Sequence, residues 1–145
     1  MSRVTFDSVK AGDALPPITH PVNQDAFWRY AVASLDYNPL HTNPEWVKTA
    51  QPFKVPYTVA HGMMTMSFMT TVVTNWAYAS GLKLTKIAAK FTKPVAPGWT
   101  IKCTGTITEK HVICPGKNYV IVETKAVNQD EEMVAFGEAR VLFPD

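Results

Sequence analysis

The sequence predicts an α+β fold in which an antiparallel sheet wraps around one long central helix. Two observations carry this prediction. The segment from His61 to Ser80 places apolar residues on nearly every side of a helix, so that helix should be buried. From residue 86 onward, apolar and polar residues alternate with a period of two, which is typical of strands with one buried face. A buried helix followed by consecutive strands favours a sheet that encloses the helix.

Length and charge narrow the class of protein. The chain has 145 residues, 46% of them apolar, which predicts a single domain over residues 1–145 with an ordinary core. A net charge of +2 is too small to predict a nucleic acid or an anionic membrane as partner. The first residues lack the apolar run of a secretion signal, which predicts a cytoplasmic protein. Threonine and serine residues interrupt the long helix too often for a membrane span.

The opening of the chain is predicted to lead through turns into one short strand and then a helix. Gly12-Asp13 and Pro16-Pro17 indicate turns, and a short extended stretch is expected around residues 18 to 22. Asn23 or Asp25 can cap a helix, and apolar residues recur at helical spacing as far as Leu35. The sequence therefore predicts a first amphipathic helix that ends just before Asp36.

A proline sets the conformation after this helix. Pro39 cannot donate a backbone hydrogen bond and disfavours helical geometry in the residue before it, so the chain should leave the helix before His41. Asp36 and His41 are therefore expected to flank a bend. Asn43 followed by Pro44 is typical of a helix start, which predicts a second short helix.

The second half of the chain is predicted to form the sheet. Gly81 should end the long helix. Apolar and polar alternation, apolar runs and turn residues then predict four strands, near residues 86–92, 101–108, 119–122 and 133–143. Cys103 and Cys114 lack CxxC spacing and lie in stretches that look like strands, so both are expected to be reduced thiols in the core.

Three polar residues crowd into the bend around Pro39. Asp36, Asn38 and His41 could form a simple turn, because Asp and Asn side chains bond their own backbone. A carboxylate beside an imidazole is also a natural pair for holding and deprotonating one water molecule. The added histidine favours this second interpretation, which predicts general acid–base chemistry.

A second candidate feature lies where the buried helix begins. The first backbone N–H groups of a helix lack partners within it, so the start at His61 and Gly62 could bind a developing oxyanion. Gly62 would let a carbonyl group approach closely, although it could equally serve tight packing. His61 could join Asp36 and His41 around a metal, but the chain has no HExxH motif or paired histidines at helical spacing. We therefore predict no metal.

Two sequence blocks resemble a known family. The run Ala-Ser-Leu-Asp-Tyr-Asn-Pro-Leu-His over residues 33–41, followed by Val-Ala-His-Gly-Met over residues 59–63, resembles the MaoC-like (R)-specific enoyl-CoA hydratases. The stretches at residues 6–13 and 89–95 also look like the flanks of that family, so the likeness covers most of the chain. It implies a hot-dog fold.

The resemblance also implies a reaction and roles for individual residues. Asp36 and His41 would be the catalytic pair, Asn38 would brace the bend, and the Gly62 amide would polarise the thioester carbonyl. The implied reaction is reversible syn hydration of a trans-2-enoyl thioester, carried by coenzyme A or acyl carrier protein, to the (R)-3-hydroxyacyl thioester. No metal or cofactor is implied. Members of the family usually work as dimers, which predicts a homodimer or a higher homo-oligomer.

The sequence departs from the family pattern at three positions. Leu35 replaces the usual glycine before the aspartate, and Asn43 replaces an acidic residue two places after the histidine. Thr70 stands where some relatives have a supporting serine, so Thr70 and His61 are predicted to support the site. None of these changes removes the groups that the chemistry needs.

Two other functions fit the same fold. A hot-dog thioesterase would direct the water to the thioester carbonyl instead of the double bond. A non-catalytic subunit would only bind an acyl chain or complete a heterodimer. Asp36 and His41 together argue against the second alternative, because a binding subunit need not retain both.

Overall fold

The computed structural model describes residues 3–144, which form one five-stranded sheet and four helices. The order along the chain is β1 (Ala14–Pro21), α1 (Gln24–Ser34), α2 (Pro39–Thr42), α3 (Pro44–Ala50), α4 (Gly62–Tyr78), β2 (Lys83–Phe91), β3 (Thr100–His111), β4 (Asn118–Val127) and β5 (Met133–Phe143). The strands lie in the order β1-β3-β4-β5-β2, and every neighbouring pair is antiparallel. Strands β1 and β2 are therefore the edges.

Helix α4 is the centre of the core and packs against all five strands. Met69, Val72 and Val73 of α4 are buried against apolar residues of the sheet such as Ile101 and Val122. Each side chain of this size contributes about 1.5–3 kcal/mol by leaving water. The predicted sheet wrapped around one buried helix is confirmed, and it is the hot-dog architecture.

The first strand begins earlier than the sequence predicts. Strand β1 starts at Ala14, four residues before the expected position, and pairs Ala14 with Thr106 of β3. A bulge between Leu15 and Ile18 carries the two prolines of this segment. Proline is tolerated there because β1 is an edge strand with only one hydrogen-bonded neighbour. Pairing with β3 therefore overrides the local turn signals.

The segment carrying His41 also differs from the prediction. His41 does not follow a helix as part of an open bend, but lies in the one-turn helix α2. The Asn38 side chain accepts a hydrogen bond from the Leu40 amide at 3.0 Å and caps this helix, with Pro39 as its first residue. Proline is favoured at that position, because its missing N–H would have no helical partner anyway. Pro39 therefore starts α2, whereas α1 already ends at Ser34.

The two cysteines of the chain lie in different environments. Both cysteines are free thiols, and Cys103 is buried as predicted, but the core position predicted for Cys114 is wrong because this residue is exposed in the turn after β3. Burial raises the pKa of the Cys103 thiol to about 12, so it acts as a core side chain.

Among the described residues, no helix has the length and apolarity needed to cross a bilayer.

Candidate active site

The connection from α1 to α2 sets the position of Asp36. Leu35, just after α1, has φ 59° and ψ 21°, in the left-handed region that glycine adopts without strain. A leucine there costs about 1–2 kcal/mol, so the surrounding structure must impose this turn. The Asp36 carboxylate accepts a hydrogen bond from the Asn38 amide at 3.2 Å, and the side chain is 51% exposed. Asp36 is thus fixed locally while remaining open to solvent.

His41 is held in one orientation by a backbone carbonyl. Its Nδ1 lies 2.7 Å from the Val59 carbonyl oxygen, and the side chain is buried. A carbonyl oxygen only accepts, so Nδ1 carries a proton and the Nε2 of the neutral ring holds a lone pair. The Val59 amide donates in turn to the Leu40 carbonyl at 3.2 Å, which ties α2 to the segment before α4. His41 therefore presents a basic nitrogen in a fixed direction.

His61 connects the two candidate catalytic side chains. Its ring stacks on the His41 ring, with centroids 3.8 Å apart and planes 26° from parallel. Its Nε2 donates to the Asp36 backbone carbonyl at 3.0 Å and lies 3.8 Å from the Asp36 carboxylate. The Tyr30 ring closes the other side at a centroid distance of 4.8 Å. His61 therefore contacts both Asp36 and His41, and its supporting role stays a prediction.

Burial sets the protonation of His41. Removal from water lowers the pKa of His41 below its ordinary value of 6.5, and the nearby His61 lowers it further. The hydrogen bond to Val59 and the charge of Asp36 act in the opposite direction without reversing the shift. The neutral ring, with its free lone pair at Nε2, is therefore the dominant form at neutral pH.

The start of α4 supplies unpaired backbone donors. His61 precedes the helix without a side-chain cap, and no acceptor in residues 3–144 pairs with the amides of Gly62 or Met63. A β-carbon on Gly62 would lie 3.1 Å from the ring of Phe91, on strand β2. A larger side chain would therefore require the Phe91 ring to shift by a few tenths of an ångström. The Phe91 contact also shows that packing is one reason for glycine here.

His41 and Gly62 border one open cleft of about 460 Å³, whereas Asp36 and His61 are not among its lining residues. Its lining is mainly apolar and comes from α2, the loop after α3, the start of α4, the end of β2 and the start of β5: Leu40, His41, Phe53, Val59, Ala60, Gly62, Thr65, Phe91, Thr92, Lys93, Pro94, Val95 and Val134. Two other clefts of similar size lie on the outer sheet face and between β1 and α4. Only the first of these three brings a histidine together with the free helix start.

The spacing of Asp36, His41 and His61 suits a bridging water. One potential ligand atom from each residue lies within 4.8 Å of the other two. A water that bonds two groups at about 2.8 Å, with a tetrahedral angle, spans about 4.6 Å. Metal binding would require the His61 Nε2 to release the Asp36 carbonyl if that nitrogen were the ligand.

Sequence reasoning missed a residue that fixes this arrangement. Gln24, at the start of α1, donates to the His41 carbonyl at 2.9 Å and accepts a hydrogen bond from the buried Thr58 hydroxyl. Four residues later, Trp28 donates to the Thr42 carbonyl at 2.9 Å. Together these bonds hold α2 against α1. No local signal could reveal them, because the partners are separated by 14 to 34 residues.

The predicted supporting residue Thr70 is not brought into the cleft. Its hydroxyl donates to the Met66 carbonyl of its own helix at 2.8 Å. Thr65 borders the cleft instead, one turn after the start of α4. Asp36, Asn38, His41, His61 and Gly62 are brought together as the sequence predicts.

The sheet wrapped around α4 defines a hot-dog protein, with its polar groups gathered at the start of the central helix. The chain belongs to the MaoC-like domain family, whose model matches residues 9–130. This confirms the family named from the two sequence blocks.

Characterised relatives and solved structures agree with this assignment. The chain is 27% identical over 139 residues to an (R)-specific enoyl-CoA hydratase of Rhodospirillum rubrum, covering 96% of this chain and 91% of that protein. It is 32% identical over 129 residues to the 3-hydroxyacyl-thioester dehydratase Y of Mycobacterium tuberculosis, covering 88% of this chain but 39% of that protein. The structure of an R-hydratase from Pseudomonas aeruginosa superposes with a TM-score of 0.84 at 25% identity, covering 99% of this chain and 87% of the other.

Proposed function

We propose that this chain catalyses the reversible syn hydration of trans-2-enoyl thioesters to (R)-3-hydroxyacyl thioesters. The observation that carries the proposal is the pairing, at one cleft, of a basic His41 nitrogen with unpaired amides at Gly62. Addition of water to a polarised double bond requires a base that deprotonates the water and a donor that stabilises the oxyanion. The hydratase and dehydratase relatives support the same reaction.

In the proposed mechanism Asp36 and His41 hold one water molecule beside C3 of the substrate. The Gly62 amide donates to the thioester carbonyl oxygen, which makes C3 electrophilic and stabilises the enolate that forms. The water oxygen bonds to C3 as His41 Nε2 takes one proton, and that proton then passes to C2. Both additions come from the same side of the double bond because one site supplies them, which gives syn hydration. The thioester bond stays intact.

The proposed function also specifies the acyl carrier, the oligomeric state and the supporting residues. The substrate would be carried by coenzyme A or acyl carrier protein, and no cofactor enters the reaction. A homodimer or higher homo-oligomer in the cytoplasm is the proposed working form. Asn38, His61 and Thr70 stay predicted supporting residues, of which Asn38 and His61 have direct contacts with the segment that carries Asp36 and His41.

Absorbance-monitored hydration of enoyl-CoA thioesters of increasing chain length tests this function. We expect loss of the conjugated enoyl thioester absorbance and an (R)-3-hydroxyacyl product on chiral analysis. Saturated acyl-CoA with a thiol reagent is the parallel assay. Thiol release without hydration would instead assign a thioesterase, and neither activity would assign a non-catalytic acyl-binding subunit.

The acid limb of the pH profile offers a test of His41 as the base. Its pKa is lowered below 6.5, chiefly by burial, so the neutral ring persists to lower pH than for an exposed histidine. We therefore expect kcat/KM for crotonyl-CoA to fall with acid through a midpoint below pH 6.5. His111 is a half-buried residue of strand β3 that is not among the residues lining the cleft, so His111→Gln is the control and should leave the midpoint unchanged. A limb at or above pH 6.5 would contradict the assignment.

A further inference from the structure

The hydroxyl groups of α4 fall into two groups by their partners. Four of them bond a carbonyl of their own helix: Ser67 to Met63 and Thr71 to Ser67 at 2.8 Å, Thr70 to Met66 at 2.8 Å, and Thr74 to Thr71 at 3.4 Å. This return to the preceding turn is the usual way for a helical hydroxyl to be satisfied. Thr65 departs from the pattern, because its hydroxyl bonds no residue within 3–144.

Thr65 is also the hydroxyl residue of α4 that borders the cleft. It is only 3% exposed, and it shares the lining with His41 and Gly62. Its hydroxyl oxygen is not among the fully enclosed unpaired side-chain atoms of residues 3–144, so it keeps access to the cleft and can bond a ligand or water there. The cleft is the open space that it reaches.

The direction of helical side chains places this hydroxyl close to the oxyanion donors. In a helix the Cα–Cβ bond tilts toward the N-terminus, so a side chain covers the turn before its own residue. For Thr65 that turn begins at His61 and Gly62, where the backbone amides lack acceptors. The Thr65 amide itself is already satisfied by the His61 carbonyl at 3.3 Å. The side chain therefore adds a donor to the same end of α4.

We propose that Thr65 is a further substrate-contacting residue, whose hydroxyl donates to the carbonyl oxygen of the bound thioester beside the Gly62 amide. This inference rests on the proposed hydration and assigns a second donor to the same oxyanion. Two donors on one oxygen stabilise the enolate more than they stabilise the neutral thioester, because the charge develops only in the transition state. Thr65 thus takes the supporting role that the sequence alone gives to Thr70.

The test compares substitutions at Thr65 with a matched substitution at Thr71 of the same helix. Thr65→Val removes the hydroxyl and is expected to lower kcat/KM for crotonyl-CoA about 100-fold, mainly through kcat, as loss of one oxyanion donor does. Thr65→Ser keeps the hydroxyl and should retain activity within about 5-fold, since the hydrogen bond remains. Thr71→Val, whose hydroxyl bonds its own helix, is the matched control and should leave activity unchanged.

Two outcomes would overturn the proposal. One is a Thr65→Val protein with activity within a few-fold of wild type, and the other is a Thr65→Ser protein as impaired as Thr65→Val. Loss of activity in Thr70→Val but not in Thr65→Val would return the role to Thr70. Thermal unfolding shows whether each variant is folded. If both variants are folded, activity in Thr65→Ser and its loss in Thr65→Val assign the loss to the hydroxyl group.

Binding of butanoyl-CoA, measured by calorimetry, separates failure of this inference from failure of the proposed reaction. If the wild type does not hydrate crotonyl-CoA, the reaction is wrong, but the carbonyl contact still predicts a Kd about 3- to 10-fold weaker for Thr65→Val. Equal Kd values for the two proteins would overturn the contact. Absence of binding by the wild type would overturn both.

Discussion

Replacing Asp36 or His41 by alanine is expected to lower kcat/KM for crotonyl-CoA by about 10³-fold or more, as loss of a general acid–base group does. Each side chain supplies one side of the proposed water site, and their ligand atoms lie within 4.8 Å of each other. The water can be held and deprotonated only when both are present. The double variant should therefore be little worse than either single variant, because residues that act as a unit are not additive.

Initial hydration rates and thermal unfolding of the same preparations check this expectation. His41→Ala also leaves the Val59 carbonyl without its partner at 2.7 Å, so some loss of stability is expected. Asp36→Asn is the cleaner companion, because the amide oxygen can still accept from the Asn38 backbone as the carboxylate does. A folded Asp36→Asn protein with wild-type activity would show that the carboxylate is not required.

The sequence pattern was sufficient to predict the architecture of this chain. Alternation of apolar and polar residues marks β2 and β3, apolar runs after turn residues mark β4 and β5, and apolar residues on nearly every side mark α4 as a buried helix. These signals are local, and they follow from burial of one strand face or a whole helix surface. The start of β1 could not be predicted in the same way, because pairing with β3 decides it.

The candidate site likewise contains residues that local sequence signals predict and residues whose position depends on tertiary packing. Asp36, Asn38 and His41 are near one another in sequence, and the helix start at Gly62 has its own signal, so local reasoning reached them. The choice between Thr65 and Thr70 depends on which side of α4 borders the cleft. A helix with apolar residues on nearly every side gives no local answer to that question. The bonds of Gln24 to His41 and Thr58 depend on tertiary packing in the same way.

Packing of the edge strand β2 links the fold to the cleft. Gly137 of β5 lies opposite Ala89 of β2, and a β-carbon there would lie 1.9 Å from the Ala88 carbonyl oxygen. That atom belongs to the backbone, so a methyl group can be admitted only if β2 moves. The end of β2 carries Phe91, which packs over Gly62 and lines the cleft. A displacement of this strand would therefore be transmitted to the proposed oxyanion donors.

Gly137→Ala is accordingly expected to destabilise the fold by about 3 kcal/mol, as severe overpacking does, and to lower hydration activity in the molecules that remain folded. For a chain of this size the loss corresponds to a fall of roughly 10 °C in Tm. Urea unfolding measures the free energy, with Glu138→Ala as the matched control. Glu138 is the next residue of β5 and is exposed, so its loss should change stability by less than about 0.5 kcal/mol. Equal stability of the Gly137→Ala and Glu138→Ala proteins would show that β2 yields at this contact without cost, and that the approach of Ala88 to Gly137 does not constrain the cleft.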